Sequence, residues 1–242
     1  MSNERFDMNT KTDSRATIDE GLRNHFMRVY NIMAFGLVVT GLTAFVTSQS
    51  AMMVKALITM QSNPMMAMLV AFSPMIIVMM AFNPMTMRKL SSNALTMIFL
   101  GFSAYFGWLF STMFLAYTGA SIARVFFITS ATFAGMSIYG YTTRKDLSSM
   151  RSFLMMGIMG LFIAIVANMF FQSSMMQLAI SAIGVVLYTL LVAFNTQEIK
   201  QSYNEGYGAE NNRKIAVMGA LNLYINFIML FQFLMQFMGE RR

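Results

Sequence analysis

The chain has 242 residues, is 57% hydrophobic and only 11% charged, and carries a net charge of +7, with a mean hydropathy of +0.57. A soluble domain has about a quarter charged residues, so this composition describes one membrane-embedded unit. With no cysteine and a single histidine, His25, the chain can hold no disulfide, no thiolate metal site, no cysteine nucleophile and no His-rich metal cluster.

Residues 1–28 are polar, with five basic and five acidic side chains, and are expected to form a mobile cytoplasmic arm. No basic region followed by a short apolar core and a cleavage site marks a signal peptide. Residues 29–242 are expected to form a single membrane domain. A bilayer span needs about 20 largely apolar residues, and seven stretches qualify: Val29–Thr47, Met65–Phe82, Ala94–Tyr117, Ala120–Tyr139, Phe153–Phe171, Met175–Phe194 and Ile215–Phe237. Backbone groups in lipid must be satisfied within the segment, and each run is too long for a barrel strand. The fold expected is therefore an all-α integral membrane protein with seven transmembrane helices and short loops.

The three prolines, Pro64, Pro74 and Pro84, lie in or beside the second stretch. Pro64 suits a helix start, Pro84 a helix end, and Pro74 falls mid-span, where it removes a backbone bond and predicts a kink. The fourth stretch carries Ser130, Ala131, Ala134, Gly135 and Ser137, with Gly140 at its end, a density of small residues that lets helices approach closely. Methionine occupies 29 positions. Clusters such as Met52-Met53 and Met65-Met66-x-Met68 have the softness to hold copper(I), but no His or Cys supports them, so they read as flexible apolar filler.

Orientation follows from Lys and Arg in the connections. With the N-terminus in the cytoplasm, that side holds Arg5, Lys11, Arg15, Arg23, Arg28, Arg88, Lys89, Arg144, Lys145, Arg151, Lys200, Arg213 and Lys214. The opposite side holds Lys55, Arg124, Arg241 and Arg242, a bias of thirteen to four. Basic residues distributed between apolar segments are a membrane signature, so nucleic acid is not an expected partner. Arg241 and Arg242 fit this pattern poorly after seven crossings; a re-entrant last segment would bring them inside.

No GxSxG, phosphate-binding loop or HExxH occurs, and the acidic residues fall in the arm, the loops and Glu240. Serine has no histidine or intramembrane lysine to activate it. No enzyme activity, cofactor or metal site is expected. What remains is a polar seam. Asn222 and Asn226 are four apart and share a helical face; Asn195-Thr196-Gln197 closes the sixth stretch, and Asn168 sits near the outer end of the fifth. Such amides either line a water-filled path or bond between helices, at about 0.6–2 kcal/mol each.

Four stretches carry a resemblance. Tyr139-Gly140-Tyr141-Thr142-Thr143-Arg144-Lys145-Asp146-Leu147-Ser148 is similar to the cytoplasmic loop signature of the Bax inhibitor family, in its bacterial YccA-like branch. Tyr117-Thr118-x-x-Ser121-Ile122-Ala123, Phe194-Asn195-Thr196-Gln197-Glu198-Ile199-Lys200 and Gly219-Ala220-Leu221-x-Leu223-Tyr224-x-Asn226-Phe227-Ile228 agree with that family's other motifs. The likeness runs from about Arg23 to the C-terminus. It implies that the last helix is central and surrounded by the other six, and that the protein lies in a bacterial cytoplasmic (inner) membrane.

The family places an aspartate in each of the last two motifs, and the pair is held to sense pH and control a calcium leak. This chain has Asn195 and Asn226 there. Two carboxylates in a low-dielectric site repel and share a proton; amides do neither, and they resemble the protonated acid in size and hydrogen bonding. The resemblance therefore implies a cation (calcium) leak pathway lacking its acidic pH sensor, with weakened attraction for Ca2+, whose binding depends on ligand charge. Arg88 is the expected latch that loses its ionic partner, and Asn168 and Asn222 are supporting polar residues. The competing expectation is a non-conducting regulator that binds other membrane proteins, such as a quality-control protease, through the small-residue face of the fourth stretch and the arm.

Overall fold

The computed structural model describes residues 2–50, 59 and 62–242; the Met52-Met53 cluster and Lys55 lie outside them. The helices are α1 (Ser2–Ser48), α2 (Pro64–Ala81), α3 (Pro84–Lys89), α4 (Ser92–Ala116), α5 (Gly119–Thr142), α6 (Arg151–Phe171), α7 (Ser174–Ser202) and α8 (Gly208–Met238). Short 3-10 turns at Leu147–Met150 and Glu205–Tyr207 join α5 to α6 and α7 to α8. α1 runs through the polar arm into the first span without a break, since no proline precedes Pro64 to interrupt it.

Among the described residues, six helical segments are long and apolar enough to cross a bilayer: Glu20–Ser48, Ser92–Ala116, Gly119–Thr142, Leu147–Phe171, Ser174–Ser202 and Gly208–Met238. The second expected span corresponds to α2, whose 18 residues extend about 27 Å at 1.5 Å per residue. It is shorter than each of the six spans because prolines bracket it. Asn63 and Asn83 cap α2 and α3, each accepting a hydrogen bond from a backbone N–H three residues on, with proline in the first turn. Pro84 thus starts a helix, where the sequence reading placed a helix end.

Pro74 lies inside α2 without ending it. A proline at this position leaves the Val70 carbonyl without its usual N–H partner. The Ser73 hydroxyl supplies the missing bond, donating to Val70 O at 2.6 Å. Its hydrogen is then committed, so Tyr105 OH on α4 donates to Ser73 Oγ. One hydroxyl repairs the helix and ties it to its neighbour.

The last helix is the most enclosed. In its apolar window 72% of residues are buried, against 11–44% in the other five spans, and it packs on α1, α4, α5 and α7. Close approach of α1 and α4 depends on two glycines. A Cβ on Gly107 would meet Thr40 O at 2.6 Å, and one on Gly36 would meet the Phe99 ring at 2.5 Å. Into this contact α8 inserts Tyr224, fully buried among Phe99, Phe102 and Phe106. Thr40 Oγ1 lies 2.9 Å from Gly36 O and 3.0 Å from Ser103 O. Its proton is directed to those carbonyls, so Tyr224 OH donates to Thr40 Oγ1 at 2.7 Å.

α8 also runs from one end of the bundle to the other. At its start Glu210 accepts hydrogen bonds from Ser92 N at 2.7 Å and Ser92 Oγ at 3.0 Å, holding the first turn of α4. Beyond its end Thr118 N donates to Glu240 O at 3.2 Å and Arg242 N to Ala116 O at 3.0 Å, while Arg124 pairs with Glu240 at 3.0 Å. The last segment is therefore one continuous helix, and Arg241 and Arg242 lie at the end of the bundle opposite Ser92.

Candidate functional site

The motif residues Asn195 to Lys200 fall on the last turns of α7, and successive side chains go to different partners. Thr196 Oγ1 lies 3.1 Å from Ser137 Oγ on α5, which in turn pairs with Tyr30 OH on α1. Gln197 reaches the α5–α6 connection, accepting from Leu147 N at 2.7 Å and donating to Lys145 O at 2.8 Å. Lys200 donates to Tyr141 O at 2.9 Å, with its ammonium 4.9 Å from the Tyr141 ring centre. Glu198 forms an ion pair with Arg151 at the start of α6. A 3.6-residue helix forces this dispersal, since each residue turns by about 100° from the last. Close contact below it is set by Gly140, where any Cβ would collide with the Ala193 carbonyl.

Asn195 points elsewhere, into the wall of a cavity of about 340 Å³ between α6, α7 and α8. One face of each helix lines it: Arg151, Leu154, Met155 and Ile158 on α6; Tyr188, Leu191, Phe194, Asn195 and Glu198 on α7; Asn222, Ile225 and Asn226 on α8. The spacings of three and four are those of a single helical face. Asn195, Asn222 and Asn226 thus share one cavity. No hydrogen bond joins Asn195 to Asn226 among the described residues.

Asn226 is only 4% exposed, and its Nδ2 has no hydrogen-bond partner in the protein. A buried amide N–H left without an acceptor costs about 1–3 kcal/mol, so the site favours water or another polar group beside it. The cavity has room for several waters. Arg151 is the cation of the site: its guanidinium pairs with Glu198 and stands 5.9 Å from the Phe194 ring centre.

Two expected residues lie apart from this cavity. Arg88 is exposed on α3, is absent from the cavity lining and makes no ion pair among the described residues. Asn168 sits in the last turn of α6, where its Oδ1 accepts from Ser173 N at 3.1 Å beside the left-handed Gln172 (φ 49°); it shapes the α6–α7 turn. Sequence reasoning overlooked Arg151 and Glu198, treating Glu198 as a loop residue although it lies within α7. The signal was available in the spacing, since Glu198 is three residues after Asn195 and shares its face.

A family model described as "Inhibitor of apoptosis-promoting Bax1" matches residues 22–242, nearly all of the bundle described above. The chain belongs to the Bax inhibitor family. Similar proteins occur in several bacteria. An uncharacterized protein of Rickettsia prowazekii is 39% identical over 233 residues, covering 96% of each chain. One from Borreliella burgdorferi is 41% identical, covering 91% of this chain and 94% of its own. The Escherichia coli K12 protein named inner membrane protein YbhL is 34% identical over 96% of this chain and 98% of its own. This protein is a multi-pass membrane protein, helical through nearly all of its described residues.

Proposed function

We propose that the α6–α7–α8 cavity is the vestibule of a cation leak pathway, with calcium among the permeating ions, and that it lacks an acidic pH sensor. The observation that carries this reading is the buried Asn226 amide, without a partner for its Nδ2, in the wall of a cavity also lined by Asn195 and Asn222. A buried polar group in a membrane segment marks a functional position by default. Amides solvate an ion with oxygen yet bring no charge, so affinity for divalent cations is low and acid has nothing to titrate at the pair. The protein acts without enzymatic chemistry or a cofactor. In this reading α2 is a seventh crossing, the last helix is the centre of the bundle, and the N-terminus is cytoplasmic in a bacterial inner membrane.

The test is calcium flux in liposomes containing the purified protein. The unaltered chain is expected to give a flat profile from pH 5 to 8, and the Asn195→Asp/Asn226→Asp double variant a pH-dependent one. A flat profile in the double variant would sink the role given to the pair.

A second reading is favoured by α5, where Ala131, Ala134 and Gly135 are exposed and nothing lies within 4 Å of the position a Gly135 Cβ would take. Small residues on an outer face suit contact with a helix of another membrane protein. If the protein is a non-conducting regulator, flux is absent at every pH, and Gly135→Leu abolishes recovery of a defined membrane partner.

A further inference from the structure

Arg151 and Glu198 are the charged residues among those that line the cavity. The remainder of the lining is apolar, phenolic or amide. Both charges stand beside Asn195: Glu198 follows it by one turn of α7, and the Phe194 ring that backs the guanidinium precedes it by one residue. With side-chain exposures of 64% and 39%, the two groups meet solvent, while Asn226 is buried. The pair therefore stands at the mouth of the cavity, with the Asn226 amide within.

Opposite charges in contact cancel at a distance, so the intact mouth presents almost no net charge to an approaching ion. Removing one partner exposes the other, and an uncompensated charge at a low-dielectric opening concentrates ions of opposite sign and excludes ions of its own. We infer that the Arg151–Glu198 pair sets the sign of charge that the cavity admits, a task the amides at 195 and 226 cannot perform. This rests on the reading of the cavity as a water-reached vestibule, but not on ions passing through it. Neutralising Arg151 leaves Glu198 and makes the cavity cation-attracting; neutralising Glu198 leaves Arg151 and makes it cation-excluding. A purely structural pair would produce effects in one common direction.

The absence of cysteine permits a direct measurement. Asn222→Cys, on the cavity wall, is introduced into the full chain in lipid nanodiscs, where both faces meet buffer. It is reacted with a cationic and an anionic methanethiosulfonate of similar size. The quantity read is the ratio of the two rates. Adding Arg151→Gln is expected to raise the cation-to-anion ratio about tenfold and adding Glu198→Gln to lower it about tenfold, with both shifts shrinking in high salt. The charge-exchanged Arg151→Glu/Glu198→Arg variant returns the ratio to near its starting value, which also reports that the mouth still folds. Equal ratios in all variants, shifts in the same direction, or no reaction with either reagent would overturn the inference. Flux and ratio separate the two claims. Opposite shifts without flux uphold the mouth and remove the leak; flux with an unchanged ratio does the reverse.

Discussion

Gln197 shows how much one side chain can hold. Its two amide atoms take the Leu147 N–H and the Lys145 carbonyl, fixing the loop that carries Arg144, Lys145 and Asp146. Gln197→Ala leaves both backbone groups unmatched, and a loss of about 1–3 kcal/mol is expected, read as a lower Tm in detergent and faster proteolysis within residues 143–150. In the same loop, Ser148 N and Oγ donate to Asp146 and hold its carboxyl below its ordinary value of 3.8. A carboxyl lowered in the folded state stabilises above its unfolded pKa, and that contribution disappears as pH falls through the lower folded value. The loop should accordingly keep its protease resistance from pH 8 to 5 and lose part of it below about pH 4, a loss that Asp146→Asn removes. Persistence of the acid effect in Asp146→Asn would count against this assignment.

Helix against helix, glycine decides the approach. Gly140 lies against the Ala193 backbone, two residues before Asn195, so Gly140→Ala has no flexible side chain to displace and must shift α5 or α7. Overpacking of this kind costs about 1–3 kcal/mol, and it should also change the reactivity of a cysteine placed at Asn222, because α7 forms one cavity wall. Gly135→Ala on the exposed face of the same helix should leave Tm unchanged or slightly higher. Equal losses at the two glycines would refute the distinction. Sequence alone marked both as small residues; it held no sign of which one faced a neighbour, since periodicity separates faces without naming what covers them. The Ser73 repair of α2 was hidden for a similar reason. Pro74 announced a missing bond, but the donor became visible only with the hydroxyl in place.

Across the whole molecule, the helical class and six of the long spans were legible because apolar runs in lipid permit little else. Asn222 and Asn226 were placed on one face by their spacing, and that face does border the cavity. Arg88 was chosen from its position along the chain, and Arg151 was passed over because the α5–α6 loop, tied down by Gln197, is what carries it to the cavity. A contact between residues 151 and 198 depends on tertiary folding and leaves no periodic trace.

The enclosure of α8 has a consequence for biogenesis. Chains emerge N-terminus first, so the helix most covered by its neighbours leaves the ribosome after every helix it packs on. Until then the Thr40 hydroxyl on α1 waits without Tyr224, and Ser92 on α4 waits without the Glu210 carboxylate. A translation product halted before residue 208 would present a hollow, partly polar bundle to lipid, a natural target for membrane proteolysis.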